Sequence, residues 1–344
     1  MKRPYRIRGG GSLGESICHL HAMRSNVQFN ITIKSADVQN TPLGQEVFRL
    51  VEKINASERL DIDTCFAPYD LILMHFLPLL IKLAPTTSVD GLTVYDLVRA
   101  PTYYLEVFST ESGELEIRGE ETCTLTPAYD IAPLSISDAP KFWETIPRTH
   151  ARNLTIARSL EEMSPLKMVQ GKVKTTKGHL KYFKPRELGR ENEFHREVEL
   201  LHRIKDAGLA DPDHRLPVLE SLVVSDEQEE VVVGLLMNLI ASPALGCHLQ
   251  SPGFRDRRDL HEKWEEQVIT TVKLLHEHEI VWGDVNACNV AIDQDLNAWV
   301  IDFGGRNTRE FVDDDKAETV EGDWQGVHRL FKNWLPSQAV SNHC

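Results

Sequence analysis

Three oxygen-bearing side chains toward the C-terminal end of the chain have the types and spacing to do chemistry together. Asp284 lies in GDVNACN, Asn289 follows five residues later, and Asp302 heads Asp302-Phe303-Gly304 at the end of the apolar run WVI. A positioned carboxylate can orient a hydroxyl and accept its proton. A second carboxylate and an amide oxygen suit magnesium, a hard cation that prefers oxygen ligands and keeps several waters. The set therefore fits magnesium-dependent phosphoryl transfer, where positioning and electrostatics carry most of the catalysis and little covalent help is needed. Asp284 is the expected base, and Asn289 and Asp302 are the expected metal ligands.

These residues need elements to hold them. Between Asp256 and His278 the apolar residues Leu260, Trp264, Val268, Val272 and Leu275 recur at helical spacing, so a helix should lead into Trp282-Gly283-Asp284. Val290–Ile292 and Ala298–Ile301 flank the polar turn DQDLN, which predicts a hairpin that brings Asn289 and Asp302 together at its open end. Upstream, His179–Lys184 is expected to be a strand ending before Pro185. Phe194, Val198, Leu201 and Ile204 then mark one face of a helix, with Glu197 at its edge. Leu216–Val224 and Val231–Ile240 form two β-rich runs around a charged turn and should be neighbouring strands.

On IVWGDV, NVAID and WVIDFGG the chain resembles the protein kinase-like superfamily, and more narrowly the divergent kinase-like proteins of fungi. The order Asp284, Asn289, Asp302-Phe303-Gly304 matches that family's D-x-x-x-x-N followed by D-F-G. The resemblance implies an α+β, bilobal protein kinase-like fold at about 156–337, with an N-lobe to about 240 and a C-lobe beyond it. It also implies ATP and Mg2+ as cofactors, a strand lysine on the donor phosphates and a helix glutamate paired with it. Lys184 and Glu197 fit best, because Lys184 shares a strand face with Tyr182 and Glu197 lies three residues after Phe194. Lys181, Glu193 and Glu199 are the competing choices. By the same resemblance Met237 would guard the back of the adenine pocket, Asn238 would begin the segment whose backbone binds the base, and Asp323 would anchor the catalytic loop.

Departures from the family pattern bear on activity. Trp282 and Gly283 stand where His and Arg usually precede the base, so regulation by phosphorylation of a downstream loop is not expected. Asn286 replaces a lysine that neutralises the transferring phosphate, a contact of a kind that contributes roughly 10²–10³ in rate. MVQGKVK, before Lys184, has one glycine and no phosphate-binding Gly-rich pattern. Gly9, Gly11 and Gly14 form a G-x-G-x-x-G without the strand and helix context that would give it meaning. Only forty residues follow Gly304, which implies an abridged C-lobe.

The 344 residues, 41% hydrophobic, can bury a large core, and a formal net charge of −14 disfavours nucleic acid as a partner. The six cysteines are scattered without zinc-like spacing, which suits reduced thiols, and Cys288 in the catalytic loop is expected to be a small packing residue. No run reaches the ~20 apolar residues of a membrane span. Leu71–Ala84, with His75, Pro78 and Lys82, is expected to be a packed helix with a bend. The expected setting is intracellular, cytoplasmic or nuclear, without a membrane partner. Residues 1–155 should form an α+β region of unassigned role, with a strand at Gln28–Lys34, helices at Gly44–Ile54 and Tyr69–Leu83, and a hairpin at Tyr103–Ile117. A protein kinase acting on a protein hydroxyl is the first functional expectation. A nucleotide- or partner-binding pseudokinase is the second, and a small-molecule kinase of the aminoglycoside or choline kinase type is the third.

Overall fold

A computed structural model describes residues 4–7, 12–56, 62–85, 91–119, 123–128, 130–157, 171–226, 228 and 230–338. Gly9 and Gly11 of the glycine motif and Met168–Gln170 lie outside them. The chain is mixed α+β with several sheets. It divides into two compact units that exchange segments: Met1–Pro133 with Ala151–Val169, and Leu134–His150 with Gln170–Cys344. The single boundary expected near residue 155 thus becomes an exchange. Its cause is strand pairing, since β6 (Leu134–Ser135) and β7 (Arg148–His150) both join the sheet of the second unit.

In the first unit, β1 (Ile17–Arg24) and β2 (Val27–Lys34) form an antiparallel hairpin. β3 (Arg99–Ser109) then pairs parallel to β2, and β4 (Leu115–Gly119) pairs antiparallel to β3. A parallel pair needs a crossover, supplied here by α1 (Pro42–Asn55), α2 (Ile62–His75) and α3 (Leu77–Leu83). Thr41 caps α1 by accepting from the Gly44 amide, with Pro42 at the first helical position. Val47, Phe48 and Val51 bury one face of α1 in the same core as Ile72, Leu73, Leu80, Phe29, Ile31 and Ile33. The apolar run expected as one bent helix is two helices, α2 and α3, inclined at 71°. Among the described residues no single helix is long and apolar enough to cross a membrane.

In the second unit the strand order is β8 (Gly171–Thr175), β9 (Leu180–Pro185), β11 (Val231–Asn238), β10 (Leu219–Val224), β7. The β7–β10 pair is parallel and the others along this path are antiparallel. α4 (Glu191–Asp206) follows β9 and buries Phe194, Val198, Leu201 and Ile204, the face expected from its spacing. α5 (Arg258–Glu277) buries Trp264, Val268, Val272 and Leu275. It also braces the hairpin of β12 (Val290–Ile292) and β13 (Ala298–Val300). The Trp264 indole donates to the Leu296 carbonyl at 3.0 Å, and Gln267 accepts from the Ala298 amide at 2.8 Å. α6 (Val320–His328) continues through a wider helical turn at Arg329–Trp334, which buries Leu330 and Phe331.

Candidate functional site

β9 exposes alternate residues to two environments. Phe183 is fully buried on one side, while Lys184 on the other reaches α4 and the segment after β13. Its Nζ lies 2.6 Å from Glu197 Oε2 and 3.0 Å from Asp302 Oδ1. The Glu197 side chain is 3% exposed and that of Lys184 24%. Burial disfavours the Lys184 ammonium, but Glu197 and Asp302 outweigh it and hold the lysine above its ordinary range, fully charged. Burial pushes the Glu197 carboxyl up, partly offset by Lys184 and a hydrogen bond from the Phe303 amide. The competing residues go elsewhere: Lys181 pairs with Glu220, Glu193 pairs with Arg306, and Glu199 is exposed.

Asp302 has φ 62°, a left-handed conformation costing a non-glycine residue ~1–3 kcal/mol and persisting only where the surroundings fix it. Phe303, wholly buried in the core, and the Lys184 contact supply that constraint. Burial opposes charge on Asp302, yet Lys184 and the Gly304 amide hold its carboxyl below the ordinary aspartate range. Asp284 behaves oppositely. Burial first and the neighbouring Asp302 charge second push it up to about 6, against the hydrogen bonds from Asn289 and Asn286.

Both loop amides point at Asp284. Asn289 Nδ2 donates to Asp284 Oδ2 at 2.8 Å and to its backbone carbonyl at 2.9 Å, and Asn286 Nδ2 donates to Oδ1 at 3.0 Å. Asn286 Oδ1 in turn accepts from the amides of Cys288 and Asn289. With its NH₂ committed to Asp284, Asn289 offers its amide oxygen as a ligand. Asn289 and Asp302 can thus present oxygens of the kind a magnesium ion takes, beside two like-charged carboxylates that a divalent cation would neutralise. Among the described residues no cluster of three His, Cys, Asp or Glu side chains could hold a metal alone, so other oxygens, from phosphate or water, would have to complete the shell.

The loop is anchored from below. Asp323, 1% exposed on α6, accepts from the Trp282 amide at 2.9 Å and the Gly283 amide at 2.8 Å, and pairs with His276 Nε2 at 2.8 Å. Met237 is buried in the core shared with Val198 and Leu201 of α4. The Asn238 amide donates to the Val218 carbonyl and its Oδ1 accepts from the Val218 amide at 2.7 Å. Its N–H is therefore committed to the sheet, and Leu239 and Ile240 are the first residues beyond β11. Cys288, expected to be packed, is exposed, with its thiol beside Gln250.

Two structural roles were not read from sequence, that of Asn286, which figures there only as a lost cation, and that of Arg196. Asn286 organises the loop through four side-chain hydrogen bonds, and Arg196 bridges α4 to both acidic segments. The D-x-N spacing gives a local signal for the first, since Asn side chains bond backbone groups a few residues on. Comparison with protein-family models finds no match to this chain, and a search of curated proteins finds none either.

Proposed function

We propose that the second unit is an ATP- and magnesium-dependent phosphotransferase of protein kinase-like, bilobal architecture, transferring the γ-phosphate of ATP to a protein hydroxyl. One observation carries this reading: a charged lysine held between a buried glutamate at 2.6 Å and Asp302 at 3.0 Å, in a site where burial and then the Asp302 charge raise Asp284. Buried charge is expensive unless it is paired, and a lysine shared by two acids is poised to exchange one of them for phosphate oxygens.

Asp284 would orient the acceptor hydroxyl and take its proton. A carboxyl at about 6 is mostly ionised at neutral pH and a stronger base than an ordinary aspartate. Asn286 and Asn289 fix its two oxygens, so little reorganisation is needed when the hydroxyl arrives. Lys184 would grip the donor phosphates while Glu197 keeps its ammonium in place. Asn289 and Asp302 would hold magnesium, which when bound neutralises charge on the triphosphate.

A second reading, a nucleotide-binding pseudokinase, is favoured by Asn286, whose uncharged side chain is tied to Asp284 and two backbone amides where a cation would assist transfer. Labelled ATP with magnesium separates the two. The enzyme reading expects hydrolysis or self-labelling by the wild type, loss of turnover with retained magnesium-dependent binding in Asp284→Asn, and loss of that binding in Asp302→Asn. Wild-type binding without turnover selects the pseudokinase, and no magnesium-dependent ATP binding overturns both.

A further inference from the structure

Arg196 immediately precedes Glu197 on α4, and its guanidinium crosses to two segments remote in sequence. It donates to the backbone carbonyls of Val281 at 3.2 Å, Trp282 at 3.2 Å and Phe303, and its Nε lies 3.7 Å from Glu318 Oε2. Val281 and Trp282 lead into Asp284, and Phe303 follows Asp302. Gly283 makes room for this: its φ is 82°, and a Cβ there would lie 2.5 Å from Arg196 Nη2. The same stretch is held from its other side by Asp323, which accepts the Trp282 and Gly283 amides. Carbonyls on an arginine and amides on an aspartate together fix the approach to Asp284.

We propose that Arg196 is a positioning residue that couples the placement of α4 to the geometry of both acidic segments. One helical turn carries two linked tasks. Glu197 holds Lys184 and receives the Phe303 amide, while Arg196 holds the Phe303, Trp282 and Val281 carbonyls. A movement of α4 away from the site therefore releases the lysine and loosens the base and metal segments in the same step. The planar guanidinium is required, because five fixed N–H donors can serve carbonyls on two strands of chain where a lysine ammonium serves one locus. The site assembles as a unit through this residue, with no charged modification of the segment after Gly304 needed to complete it.

The expected effect on turnover rests on the phosphotransferase reading, whereas the effect on local order does not, so the test measures both on the full chain. In Arg196→Met, amide hydrogen exchange of residues 281–285 and 302–305 should rise at least tenfold, while that of α5 and of β9–β11 stays at wild-type level. Arg196→Lys should fall with Arg196→Met, not with the wild type. With ATP and magnesium, kcat should drop 10–100-fold in both variants and KM for ATP should change less than threefold. A wild type without turnover, but with the exchange pattern as described, sinks the phosphotransferase reading and leaves the coupling intact. Unchanged exchange in folded Arg196→Met, a uniform rise throughout the unit, or full rescue by Arg196→Lys overturns the coupling. If Arg196→Met does not fold, Arg196→Lys decides the question by the same exchange pattern.

Discussion

The two units bury polar groups of different kinds. Among the described residues, the buried polar side chains of the first unit are Gln28, Thr41 and Thr102, all neutral, whereas those of the second include Glu197, Asp323 and Arg186. The neutral ones close local accounts of hydrogen bonding. Thr41 caps a helix, and the Gln28 amide bridges Thr102, Thr126 and the Pro127 carbonyl across neighbouring strands. Replacing such groups costs little, because a net hydrogen bond is worth only ~1 kcal/mol. An ion removed from water costs several kcal/mol before its partner repays any of it, so Glu197 and Asp323 are poor devices for stability alone. Their presence separates a unit whose buried polar groups are neutral from one that also buries charged groups, as the proposed site would require.

The largest expected effect probes that separation directly. Asp323→Ala would leave two buried backbone N–H groups and His276 without their shared acceptor, and should destabilise the second unit by about 3–5 kcal/mol. Urea unfolding followed by tryptophan fluorescence reads this, since Trp264 and Trp282 are buried there. A loss below about 1 kcal/mol would make Asp323 equivalent to the neutral groups of the first unit and erase the distinction.

What the sequence disclosed follows the range of the interactions involved. The α4 face, the α5 face and the β12–β13 hairpin were legible because periodicity reports burial one element at a time. Asp302 and Asn289 came from spacing within a single loop and hairpin. Arg196 was not legible, since the carbonyls it binds lie 85 to 107 residues away and nothing local marks it from any helix arginine. β1 was missed for a different reason. Cys18, Leu20 and Ala22 alternate inward, but the β1–β2 turn is Ser25-Asn26, both at positive φ of 45° and 63°, without the glycine that usually announces such a hairpin. Residues 134–150 fall by sequence in the first region, yet two short strands in them pair with the second sheet, and strands of two or three residues carry no usable period.

Asp284 sharpens the comparison through pH. Its carboxyl is raised from 3.8 to about 6, so the folded chain binds this proton more tightly than the unfolded chain. Its contribution to stability is therefore greatest below 3.8 and declines as pH rises toward 6, by up to about 3 kcal/mol. Under the proposed phosphotransferase reading turnover runs the other way, because Asp284 would act as a carboxylate and activity should fall as pH drops through about 6. Comparing the melting temperatures of wild type and Asp284→Asn at pH 5 and pH 7.5 cancels the other titrating groups. The variant should gain on the wild type at the higher pH, and a constant difference would place Asp284 in an ordinary solvated environment.

The smallest effect belongs to the first unit. Gln28→Leu keeps the volume near constant and removes the amide from between Thr102 and Thr126, whose hydroxyls already lie 2.6 Å apart and can satisfy each other. The Pro127 carbonyl loses its shorter donor and keeps a 3.4 Å contact from the Thr126 hydroxyl, so the cost should be roughly 1–2 kcal/mol. Hydrogen exchange confined to β2, β3 and β5 (Thr124–Pro127) should report that cost, and ATP binding should match the wild type. A loss comparable to that of Asp323→Ala would mean that the Gln28 network, though uncharged, holds its unit as tightly as buried ions hold the other, and the contrast in charge would no longer explain where the site lies.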